Sequence, residues 1–273
     1  MELIVFDLDG TLLNASAEIS DYTRDTLERL AERGILYTVA TGRTLHASVE
    51  VLEGHGFRLP QAYKNGVMIW NPTLADYTHS NYLTLTEIQH VLEAVIRQNI
   101  TPFMFTLEPG NVHAIYHPPL KNEVEERLAA DFRSRSGVGV HPASRMPPDA
   151  EITNISALGI PQAIDAVELM IADEPHLVAY AGTAIEGSEL KWIDIHHVEA
   201  SKGNAIEILR KELGATRVLC FGDNNNDLSM FEVADESYAP SNAQPEILAA
   251  ATAVIGHHDE DGIAQFLRER FSL

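Results

Sequence analysis

Leu3-Ile4-Val5-Phe6-Asp7-Leu8-Asp9-Gly10-Thr11-Leu12 runs apolar residues straight into an aspartate, with a second aspartate two places on and then a glycine. The apolar run reads as a buried strand. Such a strand has no use for a terminal carboxylate unless something there requires one. Aspartates at i and i+2 of an extended segment point the same way. Two charges that close repel, and each raises the other's pKa. A cation or an electrophilic phosphorus between them removes the conflict. The plain alternative is an Asp-Gly turn with both carboxylates in water. Three further segments bear on the choice.

Leu36-Tyr37-Thr38-Val39-Ala40-Thr41-Gly42-Arg43 is a second apolar strand, ending in a hydroxyl and a glycine where a helix is expected to begin. Free N–H groups at a helix start bind anions, and the Thr41 hydroxyl adds a donor. Ala200-Ser201-Lys202-Gly203-Asn204 opens a helical run over 205–213. A lysine there opposes the helix dipole unless its ammonium meets an anion. Val218-Leu219-Cys220-Phe221-Gly222-Asp223 is a third buried strand ending in a carboxylate, followed by Asn224-Asn225-Asn226-Asp227. Asp223 and Asp227 offer hard oxygen ligands suited to Mg²⁺. Each segment also has a bland reading: a helix cap, a solvated lysine, an asparagine-rich turn. In an open parallel sheet, ligands bind beyond the carboxyl ends of the strands. The four segments are therefore expected to converge on one crevice.

This ordered set resembles the haloacid dehalogenase superfamily of aspartate-nucleophile phosphatases, and within it the Cof-type (subfamily IIB) sugar-phosphate phosphatases. The motifs are Asp7-Leu8-Asp9-Gly10-Thr11-Leu12, Thr41-Gly42-Arg43, Ser201-Lys202-Gly203 and Gly222-Asp223-Asn224-Asn225-Asn226-Asp227. Asn65-Gly66, Asn242-Ala243 and Glu260-Asp261-Gly262-Ile263 also fit the family pattern. The resemblance covers nearly the whole chain. It implies an α/β protein: a Rossmann-like, doubly wound parallel-sheet core with an inserted α+β cap domain that selects the substrate. It implies Asp7 as nucleophile and Asp9 as general acid and base. Lys202 is implied as catalytic and, with Thr41, the Gly42 N–H and Asn226, as a phosphate ligand. Mg²⁺ is implied at Asp7, the Asp9 carbonyl, Asp223 and Asp227. Arg43 and Asn65 fall on the substrate side. The implied reaction is Mg²⁺-dependent hydrolysis of small phosphomonoesters, such as sugar phosphates, through an aspartyl-phosphate. The alternatives are a phosphotransferase or phosphomutase of the same superfamily, or a catalytically silent metabolite-binding regulator.

Composition agrees. A chain of 273 residues with 45% hydrophobic content is long enough for two globular domains. The formal charge of −21 argues against nonspecific binding to nucleic acid or anionic membranes. An anionic substrate must then be drawn in by a local positive site. The single cysteine, Cys220, lies in an apolar strand and permits no internal disulfide, which suits a reducing cytoplasm. No basic region or apolar leader precedes the first strand, and no apolar run approaches the roughly 20 residues of a membrane span. The expected location is the cytoplasm, the expected partner a small phosphorylated metabolite, and the expected state a monomer or homodimer.

Residues 1–80 and 200–273 read as the core and 81–199 as the insertion. Ser20 caps a helix that runs to 33; a strand at 35–41, a helix at 44–53 and a strand at 62–64 follow. Thr84-Leu85-Thr86-Glu87 is a capping box for a helix to 98. Strands at 102–107 and 112–116 flank a Pro109-Gly110 turn. A helix at 120–133, strands at 152–158, 177–181 and 190–195, and a helix at 162–171 complete the insertion. Short strands at 237–239 and 253–255 and a helix at 262–270 close the chain. His257-His258-Asp259-Glu260-Asp261 reads as a solvated loop and not a metal cluster. His196 and His197 read as surface residues, and Trp70 and Trp192 as packing residues. His113, Tyr116 and His117 are candidates for selecting the substrate.

Overall fold

The computed structural model describes residues 1–273 apart from 135–136 and 185–186. The chain begins with β1 (Glu2–Phe6), a wide turn at Leu8–Leu12, α1 (Asp21–Glu32), β2 (Leu36–Val39) and α2 (Val49–Leu52). Three short strands follow: β3 (Gln61–Tyr63), β4 (Met68–Asn71) and β5 (Asp76–Ser80). Next come α3 (Leu85–Arg97), β6 (Phe103–Glu108), β7 (Val112–His117), α4 (Glu123–Ser134) and β8 (Val138–Pro142). They lead to β9 (Glu151–Gly159), α5 (Pro161–Ile171), β10 (Leu177–Ala184) and β11 (Gly187–His197). The chain closes with α6 (Lys202–Leu213), β12 (Arg217–Phe221), α7 (Leu228–Val233) and β13 (Glu236–Pro240). Last are α8 (Pro245–Ala250), β14 (Ala253–Ile255) and α9 (Gly262–Phe271). Two compact units result, Met1–Ser80 with Ala200–Leu273, and Asn81–Glu199.

The first unit is the expected doubly wound parallel sheet, in the order β14-β13-β12-β1-β2. Alternate residues of β1 feed opposite faces, and both faces are covered. Ile4 and Phe6 pack with Leu27 and Leu30 of α1 and with Ile263 and Leu267 of α9. Leu3 and Val5 pack with Ile206 and Leu209 of α6, Met230 of α7 and Ile247 of α8. Two-sided burial is why the strand reads as a continuous apolar run and not as an alternating one. β2 lies on one side of β1 and β12 on the other. The sheet therefore changes direction between β1 and β12, where a crevice opens beyond the strand ends. Asp7 follows β1 and Asp223 follows β12, so both carboxylates sit at that point.

Two local expectations fail. No helix spans 44–53; only Val49–Leu52 is helical. The Thr44 hydroxyl accepts from Ala47 N, and the Ser48 hydroxyl donates to the Thr44 carbonyl. Short hydroxyl side chains here compete for the backbone groups a helix would use. Thr41 is thus followed by turns, and no helix N-terminus supplies an anion site there. The strand expected near 62–64 is present as β3, but it pairs with β4 and β5 in a separate antiparallel sheet and does not extend the Rossmann-like core.

The second unit carries a mixed sheet, β10-β11-β9-β6-β7-β8, antiparallel except for β7 with β8. α3 and α5 cover one face, through Ile88, Val91 and Val95 and through Ile164, Val167 and Ile171. Phe132 of α4 packs with Phe103 and Ile115. The Thr84 capping box forms with both of its hydrogen bonds. His196, expected at the surface, is fully buried inside β11. Tyr116 packs in the core, and His113 and His117 are buried, so none of these three projects as an exposed recognition group.

Candidate active site

Strand β1 ends at Phe6, and Asp7 extends the ladder by one bond, its N–H donating to the Phe221 carbonyl at 2.9 Å. The chain then turns. Asp9 has φ −73° and ψ 126°, and Gly10 has φ +73°. A Cβ on Gly10 would lie 2.5 Å from Asp223 Oδ2, so the left-handed turn and the close approach both require glycine there. This turn separates the two aspartates that an extended segment would keep together. Asp7 is buried, while the Asp9 side chain is 59% exposed. Arg43 grips both oxygens of Asp9, with Nε donating to Oδ2 at 2.7 Å and Nη2 to Oδ1 at 2.5 Å.

Lys202 is the first residue of α6, behind the Ser201 cap, and its side chain is fully buried. Nζ donates to Asp7 Oδ1 and to Asp227 Oδ1, each at 2.6 Å. That contact is the anion which the dipole argument required. Burial disfavours the ammonium, but Asp227 and Asp7 outweigh it and hold the lysine protonated above its usual range. Asp227 Oδ2 accepts from the N–H groups of Asp223 and Asn224 at 2.9 and 3.0 Å. Asp227 therefore fixes the loop that carries Asp223. Asp223 Oδ1 accepts from the Thr11 hydroxyl at 2.9 Å.

Thr41 and Gly42 follow β2, one strand over. The Thr41 N–H donates to the Ala62 carbonyl, and its Oγ1 accepts from Arg43 N at 3.1 Å. Its hydroxyl hydrogen is left to donate. Asn65 has φ +55° and receives Asn226 Nδ2 on its Oδ1 at 2.9 Å. Gly66 has φ +93°, and a Cβ there would lie 2.2 Å from the Ser201 carbonyl oxygen. Only glycine lets the Asn65 turn come this close to the start of α6. Gly42, Asn65 and Asn226 adjoin one another, since a Cβ on Gly42 would meet Asn65 Oδ1 at 3.2 Å and Asn226 Nδ2 at 3.8 Å.

Asp7, Asp223 and Asp227 bring ligand oxygens within 4.8 Å of one another. Three carboxylates against one ammonium leave a net charge of −2 when all are ionised. Burial pushes Asp7 up to about 8, helped by Asp227 and Asp223 and opposed by Lys202. Burial and Asp227 push Asp223 up to about 6. A surplus of buried, hard anionic oxygens fits a hard divalent cation, which would restore both groups to their ionised forms. The Asp9 carboxylate, held by Arg43, is not among these three.

Several supports come from the end of the chain, where the family pattern marks Asn242 and Asp261 without showing what they touch. Asn242 Nδ2 donates to the Gly10 carbonyl, and Asn242 Oδ1 accepts from His258 N. His258 Nδ1 contacts the Leu13 carbonyl at 2.7 Å, and Asp261 accepts from the Ser20 and Thr23 hydroxyls. The 257–261 segment has no buried residue in its short helical turn, as a solvated loop would, but His258 ties it to the end of the Asp7 loop and Asp261 ties it to the start of α1. Apart from the Asn242–His258 bond, these contacts join residues more than two hundred positions apart.

A family model described as haloacid dehalogenase-like hydrolase matches residues 4–267. The putative phosphatase YxeH of Bacillus subtilis is 28% identical over 279 residues, covering 98% of this chain and 97% of that protein. Pyridoxal phosphate phosphatase YbhA of Escherichia coli is 27% identical over 279 residues, covering 97% of each. Among solved structures, a haloacid dehalogenase-like hydrolase from B. subtilis matches with a TM-score of 0.79 at 24% identity, covering 98% of this chain and 99% of that one. That last likeness is one of fold.

Proposed function

The chain belongs to the haloacid dehalogenase-like hydrolase family, and on that premise we propose that it is a Mg²⁺-dependent phosphatase of small phosphomonoesters, working through a phosphoryl group carried on Asp7. The observation that carries the reading is the placement of Asp7: a buried carboxylate at the switch point of the sheet, 2.6 Å from a buried ammonium and beside Asp223. A nucleophile there forms a bond to phosphorus as the ester P–O bond breaks. The leaving oxygen takes its proton from Asp9. Water then attacks the phosphoryl-aspartate, gives its proton to Asp9, and releases phosphate with the Asp7 carboxylate restored. Thr41, the Gly42 N–H, Lys202 and Asn226 supply donors to the phosphoryl oxygens as charge develops on them. Asp7, Asp223, Asp227 and the Asp9 carbonyl are the proposed holders of Mg²⁺. When bound, the cation supplies positive charge that lets an anionic nucleophile approach an anionic phosphate.

Sugar phosphates and related cytoplasmic metabolites are the proposed substrates. The named activity of the pyridoxal phosphate phosphatase relative makes phosphorylated cofactors a second group to assay. Phosphate release from a panel of both, with and without Mg²⁺, tests the reading. Release that requires Mg²⁺ is expected; no release from any compound would contradict it.

The cation also has a readout apart from turnover. Asp7 and Asp223 titrate at about 8 and about 6, above the ordinary carboxyl value of 3.8. Between those values the folded protein holds protons that the unfolded chain has released. Without a cation, stability therefore falls as pH rises from about 4 to about 8. Mg²⁺ needs the ionised carboxylates, so its stabilising effect grows over the same range. At a concentration about 100-fold above its Kd, the stabilisation is about 2.7 kcal/mol. Thermal unfolding at about pH 5 and about pH 8, with and without Mg²⁺, reads this directly. An Mg²⁺ effect that is absent, or greater at the lower pH, would count against the proposed metal site.

A further inference from the structure

Arg43 is held more tightly than the carboxylate it grips. Its Nη1 donates to the Ala47 carbonyl at 3.1 Å, its N–H to Thr41 Oγ1, and its carbonyl accepts from Lys64 N at 3.0 Å. The Arg43 side chain is 20% exposed against 59% for that of Asp9. Among the described residues, Arg43 is the only ion-pair partner of Asp9. The direction of the effect follows. The fixed arginine sets where the exposed carboxylate points, and not the reverse.

We infer that Arg43 is a positioning residue for Asp9 and not a ligand of the substrate. The inference rests on the reading of Asp9 as acid and base. Nε and Nη2 address different oxygens of Asp9. One contact therefore keeps one oxygen anchored while the other carries the proton to the leaving oxygen, or takes it from water. A lysine, as a point charge on a flexible stem, cannot reproduce this fork. A guanidinium committed to Asp9 and the Ala47 carbonyl would have to release the acid in order to bind a substrate.

The test uses Arg43→Ala and Arg43→Lys in the full chain, with p-nitrophenyl phosphate as probe, because its leaving group needs no proton. For Arg43→Ala, kcat is expected to fall about 10- to 100-fold, the cost of a catalytic group held out of register, and KM to fall with it, leaving kcat/KM near wild type. Rapid-quench measurement is expected to show nitrophenolate released in a first-turnover burst at the wild-type rate, because only the water step lacks its oriented base. Added guanidinium is expected to restore part of the steady-state rate, and Arg43→Lys to stay well below wild type. A rise in KM with kcat intact would make Arg43 a substrate ligand and overturn the inference. A first turnover slowed as much as the steady state would do the same. Crystal structures of wild type and Arg43→Ala give an arm free of turnover. The Asp9 side chain is expected to spread over several rotamers in the variant, and a single unchanged rotamer would overturn the inference. If wild type released no phosphate from any compound, the phosphatase reading would fail while this arm still decided what Arg43 does to Asp9.

Discussion

Asp7→Asn is expected to remove turnover, lowering kcat by about 10⁴-fold or more, the scale on which loss of a covalent nucleophile is felt. An amide nitrogen or carbonyl oxygen is a poor nucleophile toward phosphorus, and no other carboxylate stands in the same place. Asp223 is engaged by Thr11, Asp227 by Lys202 and two backbone amides, and Asp9 by Arg43. The variant is nevertheless expected to fold. Asparagine keeps the volume of aspartate, and it removes one of three clustered carboxylates that stand against a single ammonium. In metal-free buffer its unfolding temperature is expected to equal or exceed that of wild type. Unfolding curves run beside the assay separate a missing nucleophile from a missing fold. Turnover above a few per cent of wild type by a folded Asp7→Asn protein would refute the assignment.

Lys202→Ala is expected to damage both stability and rate. The lysine is the only ammonium that the described residues place against Asp7 and Asp227, and all three groups are buried. Removing one partner of such a cluster leaves uncompensated charge in the interior, at a cost of about 3–5 kcal/mol. Lys202→Met, which keeps most of the volume, is expected to show a similar loss, because charge and not packing is missing. The deficit is expected to shrink as pH falls, since the stranded carboxyls take up protons that the unfolded chain at the same pH does not hold. Loss of the donor from the phosphoryl oxygens adds a rate cost of about 10²–10³-fold. Denaturant unfolding of both variants across this pH range is the check. Stability equal to wild type at alkaline pH would mean that Lys202 does not compensate the acidic cluster.

The sequence revealed the layers of the core more readily than its details. The apolar runs at Leu3–Phe6 and Val218–Phe221 are buried on both faces, so they stand out whatever their neighbours do. The Thr84 capping box and the hairpin at Pro109-Gly110 are local devices that need no tertiary context. The stretch at 44–48 departs from the expected helix because its hydroxyl side chains bond the backbone in a way that periodicity does not register. β4 and β5 have a register shift and an exposed outer strand, and β8 is a five-residue parallel edge, so each gives a weak pattern. At the site, strand ends marked Asp7, Thr41 and Asp223. The grip of Arg43 on Asp9 joins residues 34 positions apart, and the Thr11 bond to Asp223 spans 212. Such pairings arise only once the strands are side by side. The same holds for the contacts of Asn242 and His258 with the Asp7 loop, whose partners only the fold supplies.

If the proposed chemistry holds, the phosphoryl group passes through Asp7. The test is acid quenching during turnover of ³²P-labelled p-nitrophenyl phosphate, whose leaving group needs no proton, followed by proteolysis and peptide mapping. Hydroxylamine-labile label is expected on the peptide carrying Asp7, more of it in Asp9→Asn, whose water step lacks its base, and none in Asp7→Asn. Label on another residue, or equal labelling in Asp7→Asn, would contradict it.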